Sequence, residues 1–305
     1  MSSLVGKTYR AQGKLLLTGE YFVLDGALAL ALPTKMGQRF EILESNNTDL
    51  TWESYDRDGH CWFNATYAIP DLELIQSNQT EVALRLQQIL RQAFPHSMLS
   101  TEALSGCNIQ SHLEFSRHWG LGSSSTLISF LAELTGVNPY QLLETTFGGS
   151  GYDLACAQAT GPILYQNKTA QPIKFQPAFA EQLYFVYLGK KQNSREGIQR
   201  YRALGQIAPE TIEAVNQLTH DFLDSPDLDA FESNIIHHEA LVAKTLSLPR
   251  AQELWFADFW GQIKSLGAWG GDFVLATSNR GAAETKEYFH AKGFTVMLPY
   301  SEMVL

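Results

Sequence analysis

One stretch of this chain limits its fold more than any other: Trp119-Gly120-Leu121-Gly122-Ser123-Ser124-Ser125-Thr126, directly ahead of an apolar run. Leu127, Ile128, Leu131 and Leu134 fall on one stripe at helical spacing, which predicts a helix opening beside Ser123-Ser124. Glycines let backbone N–H groups approach an anion closely, and a helix N-terminus adds partial positive charge. Hydroxyls at Ser123 and Ser124 can hydrogen-bond phosphate oxygens or ligate a hard cation such as Mg²⁺. The plainer alternative is a serine-capped helix after a flexible turn. No Gly-Lys-Ser/Thr follows at Walker spacing, and the third glycine of a dinucleotide fingerprint is missing.

A chain of 305 residues suits one large domain or two ordinary ones. With 45% hydrophobic and 18% charged residues it has the composition of a globular protein rather than a disordered one. A formal charge of −10 repels phosphate backbones, so no nucleic-acid partner is expected, though a local basic pocket can still hold a small anion. Met1 to Lys14 lacks the apolar core of a signal peptide, and the longest apolar stretch, Ala27 to Pro33, is far too short to span a bilayer. A cytoplasmic location without a membrane partner is the expectation. Cys61, Cys107 and Cys156 are widely spaced with no CxxC pair, which reads as free thiols rather than a zinc site or disulfide framework.

Alternation and turn signals predict strands at Leu15–Thr18, Val23–Leu24, Ala27–Leu32, Phe40–Leu43 and Leu50–Trp52, then Cys61–Phe63 after an Asp58-Gly59 turn, and Asn108–Phe115. Thr80–Phe94 has the period of an amphipathic helix, and Asn138-Pro139 starts another that ends by Gly148-Gly149. Pro162–Gln166 reads as a strand and Asn167–Pro177 as a polar linker, so we expect domains at 1–170 and 171–305. The second half predicts a strand at Leu183–Leu188 and helices near Arg195–Leu204, Glu210–Leu223, Leu228–Leu246 and Gln252–Ser265. A strand at Asp272–Ala276, a helix near Gly281–Ala291 and a strand at Phe294–Met297 follow. This order is α+β and lacks the regular βαβ alternation of a doubly wound sheet.

Two further segments concentrate small residues: Gly13-Lys14 through Gly19-Glu20-Tyr21, and Gly267-Ala268-Trp269-Gly270-Gly271-Asp272. Between them, Gly148-Gly149-Ser150-Gly151-Tyr152-Asp153-Leu154-Ala155 sets a carboxylate after a glycine-rich turn and before an apolar stretch. Asp153 either carries chemistry or caps the helix that follows. In this order and spacing the segments resemble the GHMP kinases, from about residue 11 to residue 276. Gly151 to Ala155, with Leu154 in the fourth place, is similar to the signature of GYDIA-type GHMP kinases. Glu20-Tyr21 and Asp272 look more like phosphomevalonate kinases than mevalonate kinases.

The resemblance implies a two-domain fold, with an N-terminal domain like ribosomal protein S5 and a C-terminal ferredoxin-like domain. It implies transfer of the ATP γ-phosphoryl group to a mevalonate-pathway acceptor, phosphomevalonate ahead of mevalonate. ATP with Mg²⁺, and a small hydroxylated or phosphorylated acid, are the implied cofactor and substrates; the oligomeric state stays open, a homodimer included. Gly120, Leu121, Gly122, Ser123, Ser124 and Ser125 are implied to wrap the ATP phosphates, Ser124 and Glu144 to ligate the metal, and Asp153 and Lys14 to be catalytic. Gly267, Ala268, Trp269, Gly270 and Gly271 are implied to close around phosphates and acceptor. Glu20, Arg117, Lys190, Lys191 and Arg195 are the acceptor-binding candidates, the four basic residues each with solvated surface charge as the alternative.

Three places depart from the family pattern. Gln12 stands in place of a proline, Ser116-Arg117-His118-Trp119 precedes the second motif without one, and Trp269 replaces a glycine, where it can crowd the nucleotide or shape the acceptor pocket. Two alternatives follow: a diphosphomevalonate decarboxylase-like enzyme, and a GHMP-fold binding protein that has lost turnover. Other constellations are weaker. His237-His238-Glu239 lies in an expected helix, where adjacent residues diverge by about 100° and cannot share a metal. Trp255, Phe256, Phe259 and Trp260 recur at helical spacing and read as packing. A Ser-His-Asp hydrolase is disfavoured because Gly-x-Ser-x-Gly is absent.

Overall fold

A computed structural model describes residues 3–189, 194–267, 269 and 271–305. In chain order the first part runs β1 (Thr8–Leu16), β2 (Ala29–Glu44), β3 (Leu50–Tyr55), β4 (Cys61–Ala68), β5 (Glu73–Ser77), α1 (Thr80–Ala93), β6 (Cys107–Leu113), α2 (Ser123–Thr135), α3 (Pro139–Thr146) and α4 (Tyr152–Gln158). Then come β7 (Ile163–Gln166), β8 (Thr169–Pro172), β9 (Leu183–Tyr187), α5 (Ser194–Ala203), α6 (Pro209–Leu223), α7 (Leu228–Leu246) and α8 (Ala251–Trp255). β10 (Ile263–Leu266), β11 (Phe273–Thr277), α9 (Gly281–Ala291), β12 (Met297–Pro299) and α10 (Tyr300–Met303) complete it. The mixed α+β class is as the sequence predicts.

The chain divides into two compact units that interleave in sequence. The first is Met1–Gly13, Met36–Arg117 and Leu121–Gln158; the second is Lys14–Lys35, His118–Gly120 and Ala159–Leu305. The expected boundary near 170 lies within β8, in the second unit.

In the first unit, β6 pairs antiparallel with β2 and parallel with β3, and β4 and β5 extend the sheet antiparallel. Period-2 alternation buries Leu50, Trp52 and Ser54 of β3 and Cys107, Ile109, Ser111 and Leu113 of β6. Helices cover that face: Leu86, Ile89 and Leu90 of α1, and Ile128, Phe130 and Leu131 of α2, share one core with Phe40, Ile42 and Phe63. Phe130 stacks on Phe40 with ring centroids 4.2 Å apart. Asn138 caps α3 as its sequence predicts, its side chain accepting from the N–H groups of Tyr140 (2.9 Å) and Gln141 (3.2 Å).

In the second unit, β7 pairs with β8 and with residues 29–31 of β2. A separate antiparallel sheet has the order β10-β11-β9-β12. Numbered by appearance this is 2-3-1-4 with crossover helices after the first and third strands, the βαββαβ ferredoxin-like arrangement. Several helices, α5 to α8, replace the usual single first crossover.

Several local expectations fail for identifiable reasons. Val23-Leu24 is a 3₁₀ turn, Phe22–Asp25, bracketed by positive φ at Tyr21 and Gly26. Most of Ala27–Leu32 and all of Phe40–Leu43 belong to one 16-residue strand, β2 (Ala29–Glu44), which carries the chain from the second unit into the first. The expected linker contains β8, whose residues are all exposed and so give no alternation to read. The expected helix Gln252–Ser265 stops at Trp255. Phe256 and Phe259 bury in a bend, and Gly261 approaches Thr277 too closely to admit a Cβ, so Ile263–Leu266 becomes a strand.

Candidate functional site

In the first unit the site candidates gather at the start of α2. Gly122 is its N-cap, with φ 95° and ψ 37°, a left-handed conformation that L side chains resist. Gly122 has no side chain with which to cap the helix. The first intrahelical bond is Thr126 N–H to the Gly122 carbonyl (3.1 Å), so the N–H groups of Ser123, Ser124 and Ser125 precede the helical ladder. The serine-capped alternative therefore does not hold. The Ser125 hydroxyl turns back to the Gly122 carbonyl (2.7 Å) and the Thr126 hydroxyl donates to Gln38 (2.6 Å), while Ser124 is exposed. The result is a 13-residue helix whose positive end offers backbone donors beside an accessible hydroxyl.

Asp153 lies in the first turn of α4, half-buried, with Oδ1 accepting from the Leu154 N–H (3.0 Å). It is the second helical residue rather than the N-cap, and its carboxylate still serves a first-turn N–H, as the capping alternative expects. Glu144 is exposed on α3. Arg117 is exposed, its guanidinium 5.3 Å from the Trp62 ring centre. Among the described residues no group of three or more His, Cys, Asp or Glu is arranged to hold a metal ion.

The second unit holds the remaining candidates. Lys14 is half-buried in β1. The approach to the second motif is anchored here. Trp119 is buried edge-on against Phe273 (5.6 Å), and the His118 carbonyl accepts from the Tyr187 hydroxyl (3.1 Å). At Gly120, φ is 65° and a Cβ would collide with the Asp272 carboxylate.

Tyr21 has positive φ (64°), accepts from the Trp269 N–H (3.0 Å), and stacks on Tyr201 (5.7 Å). Burial raises its phenol pKa. The Tyr201 hydroxyl in turn donates to Asp25 (2.5 Å). The Trp269 indole is buried in a cluster with Phe22, Val215, Val242 and Leu246, and its Nε1–H donates to the Pro249 carbonyl (2.9 Å). It is packed inside its own unit and does not fill the loop it replaces a glycine in.

No protein-family model matches the chain, and no curated protein is similar to it at a significant level. Solved structures are similar over nearly its whole length. A Methanococcus jannaschii mevalonate kinase superposes with a TM-score of 0.71 at 14% identity, covering 96% of this chain and 97% of its own. A Streptococcus pneumoniae phosphomevalonate kinase, in complex with phosphomevalonate and AMPPNP, gives 0.66 at 17%, with 96% and 99% covered. A Lactococcus lactis galactokinase complexed with galactose gives 0.66 at 12%, with 100% and 94% covered. The chain has the GHMP kinase fold.

Within this GHMP kinase fold, sequence expectation and side-chain placement part company in three places. Glu20, expected at the acceptor, is fully buried and paired with Lys264 (2.5 Å), so its carboxylate is engaged inside the unit. Lys190, Lys191, Ala268, Gly270 and the Arg195 side chain lie outside the described residues. Gly267 and Gly271 flank Trp269, whose backbone and indole N–H groups are both engaged. The sequence also places Lys264 in an expected helix and gives His238 and Glu239 no metal geometry. All three are buried beside Glu20. A lone lysine in the apolar context of Ile263 and Leu266 was the available signal.

Proposed function

We propose that this chain is an ATP-dependent kinase that transfers the γ-phosphoryl group to a small hydroxylated acid, with phosphomevalonate first and mevalonate next among acceptors. The observation that carries the reading is the uncapped N-terminus of α2 on a Gly-x-Gly-Ser-Ser loop, a donor array suited to polyphosphate. The likeness to a phosphomevalonate kinase complexed with phosphomevalonate and AMPPNP supports it. Phosphoryl transfer asks the protein for alignment and charge neutralisation more than covalent chemistry.

In this reading the Gly120–Ser125 backbone binds the ATP phosphates. The Ser124 hydroxyl, with Glu144 as a second candidate, would hold the nucleotide's Mg²⁺, which would supply charge neutralisation at the phosphates. Such ions are usually bound by one or two protein groups plus substrate phosphates, so a dedicated cage is not required. Asp153 accepts or orients the acceptor hydroxyl proton, and Lys14 offsets negative charge on the reacting oxygens. Gly267 to Gly271 close on phosphates and acceptor. Arg117, Lys190, Lys191 and Arg195 supply positive charge for a phosphorylated acceptor. The inward packing of Trp269 removes the main argument for a lapsed binding protein.

Mg²⁺-dependent ADP release with mevalonate, phosphomevalonate, diphosphomevalonate, homoserine and galactose tests this, beside Asp153→Asn. Turnover with a mevalonate compound, lost in the variant, is the expected result. Carbon dioxide from the diphosphate would indicate the decarboxylase instead, and ATP binding with no turnover on any acceptor would overturn the reading.

A further inference from the structure

Four titratable side chains meet inside the second unit, away from water. Lys264 of β10, Glu20 of the turn after β1, and His238 and Glu239 of α7 are each at most 1% exposed. Lys264 Nζ donates to Glu20 Oε1 (2.5 Å) and to the Ser265 carbonyl (3.1 Å), and lies 3.9 Å from Glu239 Oε1. Glu239 is hydrogen-bonded by the N–H and the hydroxyl of Ser265 (3.0 and 3.1 Å). His238 Nε2 accepts from the Gly19 N–H (3.3 Å) and stands 3.2 Å from Glu20 Oε2. Phe222 of α6 closes the imidazole edge-on (6.0 Å), and Tyr21 is the remaining titratable neighbour of Glu20.

Two features of this cluster conflict with ordinary ionisation. Two carboxyls face one ammonium, and an uncompensated carboxylate in a dry interior is costly. His238 cannot serve as a second cation, because burial and then Lys264 push its pKa well below the ordinary value. Moreover, among the described residues Glu20 Oε2 has no hydrogen-bond partner, although it lies against a histidine nitrogen that already accepts from Gly19. Two lone pairs at that distance repel unless a proton lies near them. Burial raises both carboxyls, Glu239 to about 8.

We propose that Glu20 and Glu239 together hold one proton across neutral pH, and that the cluster so neutralised is a latch. It positions the Gly19–Glu20 turn against β10, the strand that runs into Gly267. These four are positioning residues: they act through the two glycine-bearing segments they tie together. Their link to catalysis rests on the kinase reading, whereas the proton does not.

Infrared spectroscopy of the whole chain tests it through the carbonyl stretch of a protonated carboxyl, at neutral pH and through a rise past pH 8. The wild type should show the band at pH 7 and lose it on the alkaline side. Glu20→Gln and Glu239→Gln should each fold, because the remaining carboxyl still neutralises Lys264, and each should lack the band. The double variant strands Lys264 without a counter-charge, so its loss of thermal stability should exceed the sum of the two single losses. No band in the wild type at pH 7, or a band that survives in both single variants, would overturn the proposal. Should a single variant not fold, the wild-type band and its pH dependence still decide. An intact band in a protein without kinase turnover would sink the kinase reading alone.

Discussion

The backbone N–H of Trp269 donates to the phenol oxygen of Tyr21, 248 residues earlier in the chain, while the Trp269 indole is turned into the core and held there by Pro249. The bulky residue in the third glycine segment is thus a structural anchor. Trp269→Ala should cost about 3–5 kcal/mol through the cavity it leaves. Trp269→Phe should lose the Pro249 hydrogen bond, about 1 kcal/mol, along with some packing. Urea unfolding of both variants checks the order. A Trp269→Ala protein as stable as wild type would contradict the packing role.

Gly120 and Asp272 should be energetically coupled. Gly120→Ala forces a Cβ into the Asp272 carboxylate and also carries a left-handed φ cost of about 1–2 kcal/mol. Asp272→Ala should relieve the first penalty and leave the second. A double-mutant cycle is therefore expected to show coupling of at least 0.5 kcal/mol, the range found for contacting residues. Strict additivity would mean the carboxylate is easily displaced.

Stability should fall as pH rises from about 6.5 to about 8. Burial, opposed by Lys264 and reinforced by Glu20, raises Glu239 to about 8 in the folded chain from an ordinary value of 4.5. The folded state then binds more protons than the unfolded one in this window, and the linkage slope is negative, up to about 1.4 kcal/mol per pH unit. The stabilisation is full below the ordinary value and has been lost once pH passes about 8. His238 works in the opposite direction: burial depresses its pKa, so its contribution grows with pH and is complete above 6.5. The alkaline side is therefore the cleaner test. Denaturant titrations at pH 6.5 and 8 should differ by about 2 kcal/mol in wild type and much less in Glu239→Gln.

Asp153→Asn should lower kcat by about 10²–10⁴-fold if the residue is the general base, with little change in ATP affinity. Ser124→Ala should instead raise the Mg²⁺ concentration needed for half-maximal rate. Equal effects of both changes on ATP binding alone would assign the residues to nucleotide contact rather than to separate roles.

Asn138→Ala should remove two hydrogen bonds to the first turn of α3 and cost about 1 kcal/mol, measurable by thermal unfolding.

Periodic segments were legible in the sequence. Leu228–Leu246 emerges as α7 residue for residue, and Asn138-Pro139 as a capped start, because burial stripe and cap chemistry are local. The glycine-serine start of α2 was legible for the same reason: Gly122 and the serines act within one turn. What escaped was decided by distant partners. Glu20 read as an acceptor-binding acid, since nothing near it in sequence reveals Lys264, 244 residues away. His238-Glu239 lacks metal geometry in a helix, and its task, burying charge beside Lys264, depends on a strand distant in sequence. Phe256 and Phe259 carry helical spacing, yet each packs on α9 and β11 through a bend fixed by the contact of Gly261 with Thr277.

The uncapped end of α2 makes the chain's apparent stability a function of its solvent. An anion that binds those three N–H groups binds only the folded state, and stabilises it by RT ln(1 + [L]/Kd), about 2.7 kcal/mol at a hundredfold excess over Kd. Inorganic phosphate, pyrophosphate and ATP should therefore raise the melting temperature in that order, each with a logarithmic dose response. Two preparations of the same protein, one in phosphate and one in an amine buffer, are expected to melt at different temperatures.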